Sequence, residues 1–212
     1  MSILKVARMG HPVLRARAKP LDAAAIKSPR VQQLIDDMLE TMNEYQGVGL
    51  AAPQVHVSLR LFVAGFAPHP PGEDEDDADD DEEDDEDSHV PQKVLVNPEI
   101  SIVGNDTVDD WEGCLSIPEI RGRVTRARDI KVRAFDRNAR RIEITARGFT
   151  ARVIQHETDH LDGVLFLDRM ESFETLTFLE EFGRYWNVRH RTVPEELGHR
   201  KTRIRAGTEK HR

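Results

Sequence analysis

The sequence predicts an α+β fold: antiparallel β-sheets around a central helix, with an N-terminal helix before it and a C-terminal helix after it. Three observations predict it. Val31, Leu34, Ile35, Met38, Leu39, Met42 and Tyr45 recur at steps of three and four, as the apolar face of an amphipathic helix does. Ile130, Val132 and Ala134, then Ile142, Ile144 and Ala146, alternate with polar residues on either side of Asp136-Arg137-Asn138-Ala139, which reads as a β-hairpin. Gln155-His156-Glu157-Thr158-Asp159-His160 places two histidines four residues apart, on one face of a further helix.

Taken in order, Gly10-His11-Pro12-Val13-Leu14-Arg15 reads as a turn or extended segment, because Pro12 restricts His11. Ser28-Pro29 opens the first helix as N-cap and first helical residue, and Gly47 is expected to end it. In Gly47-Val48-Gly49-Leu50-Ala51-Ala52-Pro53-Gln54, two glycines and small residues allow close backbone approach. An active-site loop and a tight packing loop both fit that stretch, and Gln54 is its one polar side chain. Leu61–Ala64 and 93–96 read as partner strands, followed by short strands at 99–103, 129–135 and 141–146. Pro118 argues against a long regular element around Trp111–Glu119, so Cys114 is expected on a strand end or loop. Thr150 and Gly163 bracket the central helix as N-cap and C-terminal stop, with Val153, Ile154 and Leu161 as its apolar residues. Ser172 then caps a last helix whose stripe is Phe173, Leu176, Leu179, Phe182 and Trp186.

Composition bounds the function. A chain of 212 residues is one domain's worth, with enough length for a real core. No 18-residue apolar run exists, which excludes a membrane-spanning helix, and Met1-Ser2-Ile3-Leu4-Lys5 does not begin a signal peptide. A cytoplasmic location is the resulting expectation. Cys114 is the single cysteine, so no intramolecular disulfide can form. The net charge of −9 comes from one stretch: from Glu73 to Asp87, 14 of 15 residues are acidic. The 30 lysines and arginines outnumber the acidic residues elsewhere in the chain. From Arg189 to Arg212 the chain carries 8 Lys and Arg against 3 Glu. Such blocks repel internally and stay solvated. The expected organisation is a catalytic unit over 1–188, interrupted by an acidic loop insertion at about 68–91, and a basic, disordered segment over 189–212.

The chemistry concentrates at His156 and His160. Imidazoles at that spacing can converge on one divalent ion, with Glu157 beside it to take a proton from metal-bound water. Two ligands leave the ion's shell short, and Cys114 is the matching third donor. A Cys/His/His set that keeps a fourth position for water is a catalytic type of site.

Three stretches together, Gly-x-Gly-Leu-Ala-Ala-Pro-Gln at 47–54, Glu-Gly-Cys-Leu-Ser at 112–116 and Gln-His-Glu-x-x-His at 155–160, resemble the signature motifs of the peptide deformylase family. Residues 10–15 are similar to that family's N-terminal segment, and the resemblance spans about residues 3–183. It implies removal of the N-formyl group from the initiator methionine of new polypeptides, with release of formate. It implies that Cys114, His156 and His160 bind the metal, usually Fe2+ in the cell, with Zn2+, Ni2+ or Co2+ able to occupy the site. By the same resemblance Glu157 is general base and then general acid, and the Gln54 amide and the Leu115 backbone N–H stabilise the oxyanion. Val48, Gly49, Arg121 and Phe149 match residues around the methionine pocket. Glu112 and Arg126 can pair behind the metal site or as a plain surface ion pair. The partners implied are N-formyl-methionyl nascent peptides and, through the C-terminal basic segment, the ribosome near its exit site; no membrane is implied.

Two other functions compete. A general His-Glu-x-x-His zinc peptidase takes its third ligand from a downstream His or Glu, whereas the candidate here is an upstream cysteine. A deformylase-like scaffold used only for binding would have lost catalytic residues, and all five are present.

Overall fold

The computed structural model describes residues 2–65 and 92–186. The acidic insertion and the basic C-terminal segment lie outside the described residues. An extended N-terminal stretch enters a 3-10 turn at Pro12–Arg15, where the His11 imidazole accepts from the Val13 N–H at 3.1 Å. A single short turn, α1 (Ala23–Ile26), leads to α2 (Pro29–Glu44), which Ser28 caps by accepting from the Val31 N–H, as its sequence predicts. The helix stops slightly before Gly47: Gln46 takes the left-handed turn, at φ 51°.

The strands are β1 (Gly49–Ala51), β2 (Leu61–Ala64), β3 (Lys93–Cys114), β4 (Ile117–Phe135) and β5 (Arg141–Arg147), all antiparallel in the order β1-β2-β3-β4-β5. The expected pairing of Leu61–Ala64 with 93–96 and the hairpin of 129–135 with 141–146 are both present. The short strands expected at 93–96 and 99–103 are one element, and β4 begins twelve residues before Asp129. Register shifts at Val96/Glu99, Val103/Thr107 and Gly113/Cys114 let this long hairpin bend without ending. Pro118 did not prevent a long strand. It falls beside the last shift, near Glu119 at φ 63°, where the ladder is already irregular and a missing N–H costs little.

The central helix, α3 (Gly148–Leu161), carries His156, Glu157 and His160. Its N-cap is Arg147 rather than Thr150, because β5 runs straight into it and the chain turns at Gly148, φ 49°. Gly163, at φ 75°, does sit just beyond its end. The last expected helix is broken. Ser172 caps only a 3-10 turn, then β6 (Thr177–Phe178) pairs with β4 at Ile120 and Arg121, and a short α4 (Leu179–Tyr185) follows.

β2 explains the layering. Phe62 and Ala64 pack with Ala151, Ile154 and Leu161 of α3, while Leu61 and Val63 pack with Ile35, Met38 and Met42 of α2. Alternation along one strand thus buries one helix on each face of this part of the sheet. Each fully buried Leu, Ile, Met or Phe contributes about 1.5–3 kcal/mol, so α3 is fixed by apolar packing before its polar groups do any chemistry. That rigidity is what lets three elements hold side chains at fixed separations.

Candidate active site

Three elements converge. The 3-10 turn Ala52–Val55 after β1 supplies Gln54, the end of β3 supplies Cys114, and α3 supplies His156, Glu157 and His160. The Cys114 sulfur and the two imidazoles offer ligand atoms that all lie within 4.8 Å of one another. Cys114 Sγ is 3.2 Å from His160 Nε2, and the two imidazole rings stand nearly perpendicular, 4.9 Å between centroids. A tetrahedral ion with bonds of about 2.0–2.3 Å holds its ligands roughly 3.5 Å apart, so this donor set fits a divalent ion after small side-chain movements. The chemistry of the set, one soft thiolate and two imidazoles, suits Zn2+ or Fe2+ rather than Mg2+ or Ca2+.

The groups behind the donors fix their orientation. Glu112 Oε2 accepts from His156 Nδ1 at 2.9 Å, which aims Nε2 at the site. The Glu112 carboxylate also takes Arg126 Nε at 2.9 Å, Arg126 Nη2 at 3.0 Å and Arg152 Nη1 at 2.8 Å. Arg126 continues to Asp159 at 2.6 Å, and Asp159 to Arg169 at 2.6 Å. Glu112, Arg126, Arg152 and Asp159 are all buried, so the Glu112–Arg126 pair is the interior pair behind the site and not a surface one. Burial pushes the Glu112 carboxyl up, but His156 and Arg126 outweigh it and hold it far below the ordinary carboxylate range.

The sulfur is shifted in the direction a cation would exploit. His156, which burial lowers but Cys114 and Glu112 hold well above its usual value, is shifted the other way and must give up a proton to a cation. Burial pushes the Cys114 thiol up, yet His160 and His156 hold it well below its usual value, so sulfur is poised as thiolate. Glu157 is different. Burial pushes its carboxyl up to about 7, His156 and His160 pull it back, and Cys114 and Glu112 add to the rise. Its Oε2 is buried with no hydrogen-bond partner among the described residues. Gly49 backs it: a Cβ there would fall 2.7 Å from Glu157 Cδ, so any other residue forces the Glu157 side chain to shift.

A cavity of about 730 Å3 opens onto Cys114 and His156, walled by Val48, Gly49, Leu115, Arg121 and Phe149. All four pocket residues expected from the sequence are therefore on it, as is Leu115. Gln54 is buried behind Cys114, its Nε2 3.6 Å from the sulfur.

The polypeptide deformylase family profile matches residues 3–175 of this chain. The chain belongs to that family. Peptide deformylase 1 of Prochlorococcus marinus is 40% identical over 85% of this chain and 88% of its own length. Peptide deformylase 1 of Bordetella pertussis is 41% identical over 82% and 92%. Among solved structures, the class I type b peptide deformylase of Acinetobacter baumannii bound to Met-Ala-Ser superposes with a TM-score of 0.69 at 38% identity. That match covers 80% of this chain and all of the other. Peptide deformylase from Thermotoga maritima gives 0.66 at 36%, covering 81% of this chain and all of the other. The protein is accordingly an enzyme that removes the N-formyl group from nascent peptides.

Several deformylase residues were not legible as functional beforehand. Ser116 lay in a motif without a role, and its hydroxyl meets Gln54 Nε2 at 3.3 Å. Arg152, besides Glu112, donates to the backbone carbonyls of Val108, Asp110 and Val124, which ties α3 to the β3–β4 hairpin. The available signal was a charged residue four positions before His156 on a helix otherwise apolar there. Trp111, at the cavity mouth, packs against Phe182 and Trp186 at 4.9 and 5.4 Å between centroids. That contact joins the site to α4, beyond the matched span.

Proposed function

We propose that the deformylase reaction runs at a single divalent ion held by Cys114, His156 and His160, with Glu157 as the proton carrier. The observation that carries the ligand set is the convergence of its three donors within 4.8 Å, with His156 aimed by Glu112. Fe2+ is the ion we assign in the cell, and Zn2+, Ni2+ and Co2+ suit the same donors. When bound, the ion supplies Lewis-acid polarisation of the formyl carbonyl and a water of lowered pKa.

The chain's own groups do the rest. Glu157 takes the proton as water attacks the formyl carbon, and its carboxyl, raised by burial to about 7, is matched to both halves of that task. Collapse breaks the carbon–nitrogen bond, and Glu157 returns the proton to the leaving nitrogen, giving formate and a free amine. The carbonyl oxygen gains negative charge as the carbon becomes tetrahedral. Gln54 Nε2 and the backbone N–H of Leu115, next to Cys114, are the donors we assign to it; one such donor is worth roughly 100–1,000-fold in rate. Val48, Gly49, Arg121 and Phe149 receive the methionine side chain and the start of the peptide. A cavity of this size, and the Met-Ala-Ser bound by the Acinetobacter baumannii relative, support that assignment.

Residues 1–188 act as the catalytic unit, with the insertion at about 68–91 as a surface loop and 189–212 as an appended basic segment. We assign the enzyme to the cytoplasm, where new chains emerge, and the basic segment to contact with ribosomal RNA near the exit site. No helix among the described residues is long and apolar enough to cross a membrane.

The test is a pair of variants assayed on a formyl-Met peptide. Cys114→Ser is expected to lose most of its metal and nearly all turnover. Glu157→Gln is expected to keep the metal and lose turnover. Stoichiometric metal in Cys114→Ser, or full turnover in Glu157→Gln, overturns the assignment.

A further inference from the structure

We propose that Ser116 is a positioning residue for the reaction: its hydroxyl fixes the plane of the Gln54 carboxamide, so that one Nε2 hydrogen is held towards the reacting carbonyl. The inference rests on the assignment of Gln54 as an oxyanion donor.

A glutamine amide has two orientations of almost identical shape, and only one puts a donor at the reacting centre. The other puts the carbonyl oxygen there, which opposes a developing oxyanion. The terminal torsion that separates them is soft. In this chain the choice is made by chemistry. The Ala51 backbone N–H lies 2.8 Å from one end of the amide, and a backbone N–H can only donate, so that end is Oε1. The other end is therefore Nε2, with two hydrogens to place. One meets Ser116 Oγ at 3.3 Å. The other is donated to Cys114 Sγ at 3.6 Å, a long bond to sulfur, and the formyl oxygen must take that hydrogen in the sulfur's place if it is to reach the same centre.

The two anchors are themselves held together. Ala7 N–H donates to the Gln54 carbonyl at 2.7 Å, and Met9 N–H donates to the Ser116 carbonyl at 2.8 Å. One extended N-terminal stretch thus laces the turn that carries Gln54 to the turn that carries Ser116. Both residues are buried, Ser116 at 0% exposure and Gln54 at 1%, so water does not replace a lost hydroxyl freely. Without Ser116 the amide keeps Ala51 and the long contact to Cys114 Sγ, and once the formyl oxygen displaces that contact it swings about Ala51. With Ser116 added, two points define its plane.

Ser116→Ala removes the second point and leaves the donor in place. Its cost must then be smaller than the roughly 100–1,000-fold of deleting a donor outright; about tenfold in kcat is expected. KM for a formyl-Met tripeptide stays within about twofold, since the amide acts on the transition state and not on the bound ground state. Metal content is unchanged. Ser116→Thr, which keeps the hydroxyl, retains kcat within about threefold. The decisive measurement is the double variant. In a Gln54→Ala background, Ser116→Ala lowers kcat no further, because there is no amide left to hold. An equal loss in both backgrounds makes Ser116 a packing residue and overturns the inference. Gln54→Ala alone tests the underlying role: if it leaves kcat intact, the oxyanion assignment fails first. A spectroscopic arm stands apart from turnover. In the zinc-loaded enzyme the Gln54 Nε2 proton donated to Ser116 Oγ should shift upfield and exchange faster with solvent in Ser116→Ala. An unchanged resonance also overturns the proposal.

Discussion

Replacing Glu112 with glutamine removes one charge and almost no volume, so its effects can be worked from four hydrogen bonds. Each carboxylate oxygen takes two donors: Oε1 takes Arg126 Nε and Arg152 Nη1, and Oε2 takes Arg126 Nη2 and His156 Nδ1. An amide has one oxygen, so Glu112→Gln loses two of the four bonds whichever way it turns, and its NH2 then faces two donors. Hydrogen bonds to charged groups contribute about 1.5–3 kcal/mol each. Removing one partner of a buried ion pair costs about 3–5 kcal/mol, which is the same loss reached by another route and is not added to it. The expected destabilisation is therefore about 3–5 kcal/mol, a large part of the 5–15 kcal/mol typical of a domain.

The orientation of the new amide matters for the metal. Arg152 keeps its three backbone carbonyls in either case, and Arg126 keeps Asp159. His156 alone has an adjustable tautomer. The NH2 group settles best against Nδ1, which moves the imidazole proton to Nε2, the atom needed for the ion. Metal binding must reverse that, so affinity is expected to fall about 10–100-fold. The assay is urea unfolding of chelator-stripped parent and variant, with metal competition on the loaded forms. The folded Glu112 carboxyl titrates below its unfolded value of 4.5, so its contribution is complete above that pH and fades as acid protonates it. The gap between stripped parent and variant should close as pH falls below about 4.5. Stripped proteins that unfold at the same urea concentration near neutral pH would refute the reasoning. Unchanged metal affinity would refute the role given to His156.

Three further outcomes are expected. Gly49→Ala forces its new methyl against the Glu157 carboxylate; turnover should fall at least tenfold with metal retained, and normal kcat would show that Glu157 moves aside freely. Iron-loaded enzyme should lose activity in air faster than nickel-loaded enzyme, through oxidation at the metal or at Cys114, and equal decay rates count against iron as the working ion. Deleting residues 73–87 roughly halves the connection between Ala64 and Lys93, a change of about 0.6 kcal/mol in closure entropy. Turnover of a short formyl-Met peptide should stay within about twofold, and a tenfold change would place the insertion in the site.

The parts of the site that could be read in the sequence are those whose spacing is itself chemistry. His156 and His160 are four apart on a helix, and Cys114 is the only thiol the chain can offer. Val48, Gly49, Arg121 and Phe149 around the cavity are legible only through the resemblance to the deformylase family, since nothing in their spacing points to a pocket. What escaped was set by contacts between elements distant in the chain. Arg152 and Asp159 look in the sequence like ordinary charges on a helix, and become interior groups only because β3 and β4 bring Glu112 and Arg126 over α3. The stripe from Phe173 to Trp186 has helical spacing, yet Thr177 and Phe178 find an open edge of β4 at Arg121 and Ile120 and pair with it. Ladder hydrogen bonds there override the periodicity, while Phe182 and Trp186 still reach Trp111 from the shortened helix. Arg121 joins the two effects: it lines the cavity, pairs with β6, and lies with its guanidinium 5.4 Å from the centre of the Phe182 ring. The wall of the substrate cavity is thus built partly by a C-terminal segment whose sequence spells a different structure, and that segment took its form from the sheet it closes.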